Sequence, residues 1–199
     1  MHDTALLQAL KLKGRAPVEA LASALGRGEG DVQAAVDALV ADGLAEETKM
    51  GFRLTERGRE ALEELLAAER AGVDRGALAR LYEEFCAVND EFKALVTSWQ
   101  MKSETELNDH TDAAYDRKVL DGLDDLHGRF RPIAERAAAL VPRLSTYVPR
   151  FDDAIARVRA GEVEYVARPL IDSYHTVWFE LHEELIQGAG LNRSEEGAF

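Results

Sequence analysis

Cysteine is nearly absent: Cys86 is the only one in 199 residues. A disulfide framework within the chain is thereby excluded, and the usage fits a reducing compartment. Proline is sparse, at five residues, so little interrupts helices. No run approaches the ~20 apolar residues of a membrane-spanning helix. The opening MHDTALLQALKLKGR has neither a leading basic segment nor a small-residue cleavage site. No secretory signal, no membrane partner and a cytoplasmic location are therefore expected. Bases are few beside acids, 24 Lys and Arg to 37 Asp and Glu, for a net charge of −13. Such a chain is repelled by nucleic-acid phosphate unless its cations gather on one face. Catalytic motifs are missing too: there is no glycine-rich phosphate loop, no nucleophile elbow and no cysteine placed beside a histidine. The expectation is a protein that is not an enzyme, and the sequence names no cofactor.

What is present is helical rhythm. TALLQALKLKG places Leu6, Leu7 and Leu10 on one side and stops at Gly14. A second helix is predicted from Pro17, where the missing N–H has no consequence, to Leu25, with Gly26 ending it. A third runs from about Gly30 to Ala41, with Val32, Val36, Leu39 and Val40 inward, and closes at Gly43. GLAEETKMGFRLTERG then reads as two short strands about a turn near Lys49, Met50 and Gly51. Thr55 supplies the N-cap of a fourth helix bearing Leu62, Leu65 and Leu66.

The stretches LASALGRGEGDVQAAVDALVADGLAE and FRLTERGREAL resemble the winged helix-turn-helix domain of MarR-type bacterial regulators. The resemblance implies DNA as partner, the third helix in the major groove, and a homodimer addressing paired half-sites. The positions that would face bases are Glu29, Asp31, Gln33, Ala34, Asp37 and Ala38, of which only Gln33 reads a base well. Arg27, Lys49, Arg53 and Arg57 complete the candidate DNA-binding set, with Arg59, Lys11, Lys13 and Arg15 in reserve. Residues 1–72 nevertheless hold nine bases and thirteen acids, a balance of −4. An acidic third helix suits protein docking, so a regulatory or interaction subunit that binds no DNA stands beside the regulator.

Gly72 and Gly76 flank a break, giving two domains, 1–72 and 73–199, the second an all-α bundle. The fold class expected is mainly α: a winged helix of three helices and a small hairpin, then the bundle. Leu78, Leu81, Tyr82, Phe85, Val88, Phe92, Leu95, Val96 and Trp99 form one stripe over 77–99. MKSETELNDHTD reads as a loop, and 112–140 as a helix kinked at Pro132. Another helix spans roughly 145–160, and the last major one starts near Pro169 and stops near Gly188. The tail LNRSEEGAF is expected to fray. AIARVRAGEVEYVARPLIDSY resembles the last helices of the effector domain in GntR-type regulators, some of which hold a metal with an Asp-x-x-x-His pair. Here His127 follows Asp124 by three positions, so no metal ligand is assigned. The whole chain also resembles small winged-helix proteins that accompany pyruvate phosphate dikinase-like enzymes, which implies an enzyme partner in a PEP-utilising or phosphotransfer system.

The stretch DSYHTVWFELHEEL concentrates the chemistry of the second domain. At 100° per residue, Leu170, Tyr174, Val177, Trp178, Leu181 and Leu185 share one arc, widened to about 200° by His182, His175, Ile186 and Phe179. The polar residues Asp172, Ser173, Thr176, Glu180, Glu183 and Glu184 take the remainder. So broad an apolar face belongs to a central helix, with both imidazoles turned inward. Histidines seven apart stand roughly 10 Å apart along the axis, too far for one ion, and Ile186 breaks the HExxH pattern. Asp172 is within reach of His175 and would orient its ring. Three readings stay open: a metal completed by His110, His127 or a carboxylate; core histidines satisfied by a carbonyl, a carboxylate or Asn89; or a small-molecule pocket. The candidate ligand-binding residues are Asn89, Trp99, His127, Arg168, Tyr174, His175, Trp178 and His182, with Arg168 or Arg150 placed to hold a carboxylate effector.

Overall fold

The computed structural model describes residues 2–190, and the expectation for the tail 191–199 lies outside them. The chain divides into two compact units, Met1–Val73 and Asp74–Phe199. The described part is mainly helical, with eight α-helices and one two-stranded antiparallel sheet. No described helix is long and apolar enough to cross a membrane.

The first unit runs α1 (Thr4–Lys13), α2 (Val18–Leu25), α3 (Glu29–Ala41), β1 (Ala45–Thr48), β2 (Gly51–Leu54) and α4 (Glu56–Ala71). Asp3 starts α1 by accepting the Leu6 N–H at 3.1 Å, and Gly14, at a φ of 65°, ends it. Leu6, Leu7, Leu10, Leu21, Val32, Val36, Leu39, Leu54, Leu62 and Leu66 close one aliphatic core. The strands pair Ala45 with Leu54 and Glu46 with Arg53. Backbone bonds between Ala16 and Phe52, 3.0 and 2.8 Å, add a single bridge to the free side of β2. That approach needs glycine at 51, where a Cβ would lie 2.3 Å from the Ala16 carbonyl oxygen.

The LTERGR motif is a splice between α3 and α4. The Thr55 hydroxyl accepts the Gly58 N–H at 3.0 Å and donates to the Gly43 carbonyl at 2.7 Å. Arg57 donates to the Asp42 carbonyl at 3.0 Å, placing a cation at the negative end of α3. Gly58 presses its backbone on Leu44, whose carbonyl oxygen a Cβ would meet at 1.9 Å.

The second unit holds α5 (Arg75–Gln100), α6 (Ala113–Leu140), α7 (Tyr147–Arg159) and α8 (Tyr174–Ala189), with 3-10 turns at Pro142–Thr146 and Val163–Tyr165. Asp112 caps α6 by accepting the Ala114 and Tyr115 N–H groups. Phe85, Phe92, Phe130, Phe151, Tyr174 and Trp178 make a fully buried aromatic centre, each ring contributing roughly 1.5–3 kcal/mol by burial. α6 continues through Pro132, with one backbone donor fewer.

Four expectations are corrected. The last helix begins at Tyr174, not Pro169, because Ser173 accepts the Thr176 N–H and fixes the start there. Leu170, read as inward, is therefore off the helix and 96% exposed, at a φ of 69°. Val40 is exposed, since α3 buries only Val32, Val36 and Leu39. Glu180 and Glu184, read as facing water, are buried because arginines on neighbouring elements receive them.

Candidate functional site

The first unit presents α3 and the hairpin. α3 carries Glu29, Asp31 and Asp37, all exposed, and no Lys or Arg. Gln33, the candidate base reader, donates instead to Asp37 at 2.7 Å along the same face. Arg27 is ion-paired with Asp3, Arg53 with Glu46 across the hairpin at 2.6 Å, and Arg57 is bound to the Asp42 carbonyl. Lys49, exposed at the hairpin turn, has no ion pair or hydrogen bond among the described residues. Exposed pairs of this kind are worth about 0–1 kcal/mol each and open readily. A cation recruited from them to phosphate, however, leaves a carboxylate facing the same phosphate.

The second unit gathers five of its eight predicted residues around α8. The Trp178 indole donates to Asn89 Oδ1 at 2.9 Å, joining α8 to α5 in the centre of the core. His182 Nε2 lies 3.3 Å from the Tyr82 hydroxyl, and its ring packs on Phe85 with centroids 5.1 Å apart. His127 bridges α7 and α8, with Nδ1 3.2 Å from the Tyr174 hydroxyl and Nε2 3.3 Å from Asp152. Arg131 grips Asp152 from the other side at 3.0 Å. Burial pushes the His127 pKa down, partly opposed by the Asp152 charge. It also pushes the Tyr174 hydroxyl well up.

The remaining three lie apart from that centre. His175 is half-buried beside Phe92, its pKa lowered by burial alone, and no side-chain bond joins it to Asp172. Trp99 sits at the far end of α5 under the His110 ring, 4.3 Å between centroids. Arg168 is exposed. The aromatic rings fill the centre by packing on one another, Phe92 on Trp178 at 4.2 Å and Phe130 on Trp178 at 4.3 Å. Among the described residues, no three His, Cys, Asp or Glu side chains converge as a metal site requires.

Sequence reading missed the buried ionic ladder that joins α7 and the 3-10 turn before it to α8 and the loop before that. Arg150, 8% exposed, takes Asp172 with Nε and Nη2, both at 3.0 Å, and Glu180 at 2.7 Å. Burial works against that charge, but Glu180 and Asp172 outweigh it and raise the guanidinium pKa. One helical step on, Arg143 donates to Glu184 at 2.6 Å and the Tyr147 hydroxyl lies 3.3 Å from the same oxygen. Burial and the Glu184 charge lift the Tyr147 pKa well above its ordinary value. A signal for this existed. Arg143, Tyr147 and Arg150 recur at i, i+4 and i+7, and Glu180 and Glu184 at i and i+4, so two polar stripes match in period. Arg150, read as a clamp for an effector carboxylate, is occupied by the carboxylates of its own chain.

Comparison with family models, with curated proteins and with solved structures gives no match for this chain.

Proposed function

We propose that the chain is a two-unit regulatory protein whose first unit is a winged helix-turn-helix used to dock a protein. The observation that carries this is α3: three exposed carboxylates, no cation, and a glutamine already bonded to one of the acids. Duplex DNA presents one negative charge per ~1.7 Å of axis, so this helix meets a major groove with the wrong sign. A basic surface on another protein meets it with the right one. In the second unit the Trp178–Asn89, His127–Tyr174 and Arg150–Glu180 bonds engage those polar groups with one another rather than with an effector. An enzyme encoded nearby is the partner class this reading favours.

The test is a tagged full-length chain recovered from its native host at low salt, beside anisotropy titration with duplexes from its own gene neighbourhood. The reading predicts one stoichiometric partner, lost on Asp31→Lys/Asp37→Lys, and duplex binding at the non-specific level. Tight, sequence-selective duplex binding would overturn it.

A DNA-binding regulator is the second reading, favoured by the Ala16–Phe52 bridge that braces the hairpin as a wing and by Lys49 at its turn. Under it, Lys49→Ala lowers the dependence of log affinity on log salt by about 0.9.

A further inference from the structure

Two features of the second unit are each incomplete alone and complementary to one another. The first is the loop 166–173 between the Val163–Tyr165 turn and α8. Its base is closed by the His175 N–H on the Val166 carbonyl at 3.1 Å. Arg150 anchors Asp172 on its descending side, and Ser173 caps α8. At its apex stands Leu170, 96% exposed and at a φ of 69°. A left-handed backbone is disfavoured for a bulky side chain, and so is leaving leucine in water. A loop tied at both ends that keeps both penalties holds the side chain out for a contact.

The second feature is a depression of about 340 Å³ between the first turns of α5 and the last turn of α6. Its lining is Ala77, Leu81, Ala139 and Leu140, with Arg80, Glu84 and Arg136 at the rim. That is the volume of a small ligand pocket, ample for one leucine. The charges correspond as well. Glu164 and Arg168, four residues apart beside the knob, have no side-chain ion pair among the described residues. Arg80 and Glu84, four apart at the rim, offer a base and an acid at the same spacing, Arg80 likewise without an ion pair there and Glu84 holding Arg136.

Knob and socket lie at opposite ends of α8. Leu170 precedes its first residue, while Gly188 in its last turn packs on Leu78 of α5, beside the socket. The sixteen residues of α8 that run between the two ends span about 24 Å. Two copies running antiparallel about a two-fold axis set each knob into the other's socket at once, closing the assembly at two. We infer that Leu170 is the anchor of a homodimer of the second unit, seated in the α5–α6 depression of a second copy, with Glu164 facing Arg80. This holds whether the first unit docks protein or DNA.

Sedimentation velocity on the full chain over a dilution series tests it. The wild type is expected to shift from dimer to monomer on dilution. Leu170→Asp, at a fully exposed position, should raise the dimer dissociation constant at least ~30-fold, the scale of a hot-spot loss. Ala139→Trp, which fills the socket from an exposed site, should do the same with helical content unchanged by circular dichroism. Arg80→Glu alone should weaken the dimer several-fold, and adding Glu164→Arg should restore it. A wild type that stays monomeric throughout overturns the inference. So does a dimer indifferent to Leu170→Asp, or a charge reversal that the second change fails to rescue.

Discussion

The two units solve the same problem with different materials. The first closes on leucine, valine and alanine, and every ion pair described in it is at least partly open to water. The second closes on six packed aromatics and places Arg150, Glu180, Glu184, His127 and Asn89 inside with them. Aliphatic burial is non-directional and tolerates sliding. Buried ion pairs and hydrogen bonds hold only in one register, because a displaced member becomes an unpaired polar group in low dielectric. The contrast teaches that α7 and α8 are keyed to each other, whereas the first unit is assembled by shape and held by its glycines and caps.

The largest effect that would break this contrast is at Arg150. Arg150→Met leaves Glu180 buried beside Asp172 without their shared cation, and is expected to destabilise by about 3–5 kcal/mol. Urea unfolding followed by tryptophan fluorescence reads it, since both tryptophans, Trp99 and Trp178, lie in the second unit. Adding Glu180→Met should recover most of the loss, because a well-packed apolar pair replaces a buried ionic one at little cost. Failure to recover would mean that the ladder contributes stability and not only register.

Next in size is Gly58→Ala in the first unit. The added Cβ meets the Leu44 carbonyl oxygen, so the start of α4 must lift from the segment that joins α3 to β1. A loss of about 1–3 kcal/mol is expected, as for overpacking elsewhere, read by far-ultraviolet circular dichroism during urea unfolding. Alanine normally strengthens a helix relative to glycine by up to about 1 kcal/mol. A stabilised variant would show that the close approach does not constrain the fold.

These two sites also show how far the residues announce their own roles. In the first unit the helices carry local signals: Thr55 as a cap, Gly14 and Gly26 as stops, and apolar residues at helical spacing between them. In the second, periodicity located α5, α6 and α7 and placed Trp178, Tyr174 and His182 inward, as found. It failed at Glu180 and Glu184, because a helical wheel assigns charge to water and cannot see Arg143 and Arg150 arriving from other elements. It failed at Leu170 for the converse reason. A leucine at helical spacing looks internal until a cap two residues past its neighbour, Ser173, starts the helix later. The gathering of Asp152, His127 and Tyr174 depends on three separate elements, and no spacing within one of them encodes it.

A smaller effect sharpens the contrast through pH. His127 and His175 are both held below the ordinary histidine pKa by burial. The unfolded chain takes up these protons below about pH 6.5 while the fold refuses them. Stability is therefore full above that pH and falls as pH drops from there toward the depressed folded values. The slope is at most about 1.4 kcal/mol per pH unit for each proton. In chemical unfolding across this window His127→Gln should flatten the slope. An unchanged slope would mean that the Asp152 charge offsets the burial and that His127 accepts its proton in place.

The smallest effect belongs to the hairpin. Arg53 and Glu46 pair across β1 and β2 at 2.6 Å, each about half exposed. Water solvates both ions nearly as well apart as together, so a double-mutant cycle with alanine should give a coupling of about 0.2–1 kcal/mol. The same cycle on Arg150 and Glu180 removes two groups that water does not reach, and each single change strands the other member. Its coupling should exceed that of the hairpin severalfold. A hairpin coupling as strong as the interior one would mean that the first unit is also keyed by charge. Arg53 would then be committed to the strand pair and unavailable to any outside partner, protein or phosphate.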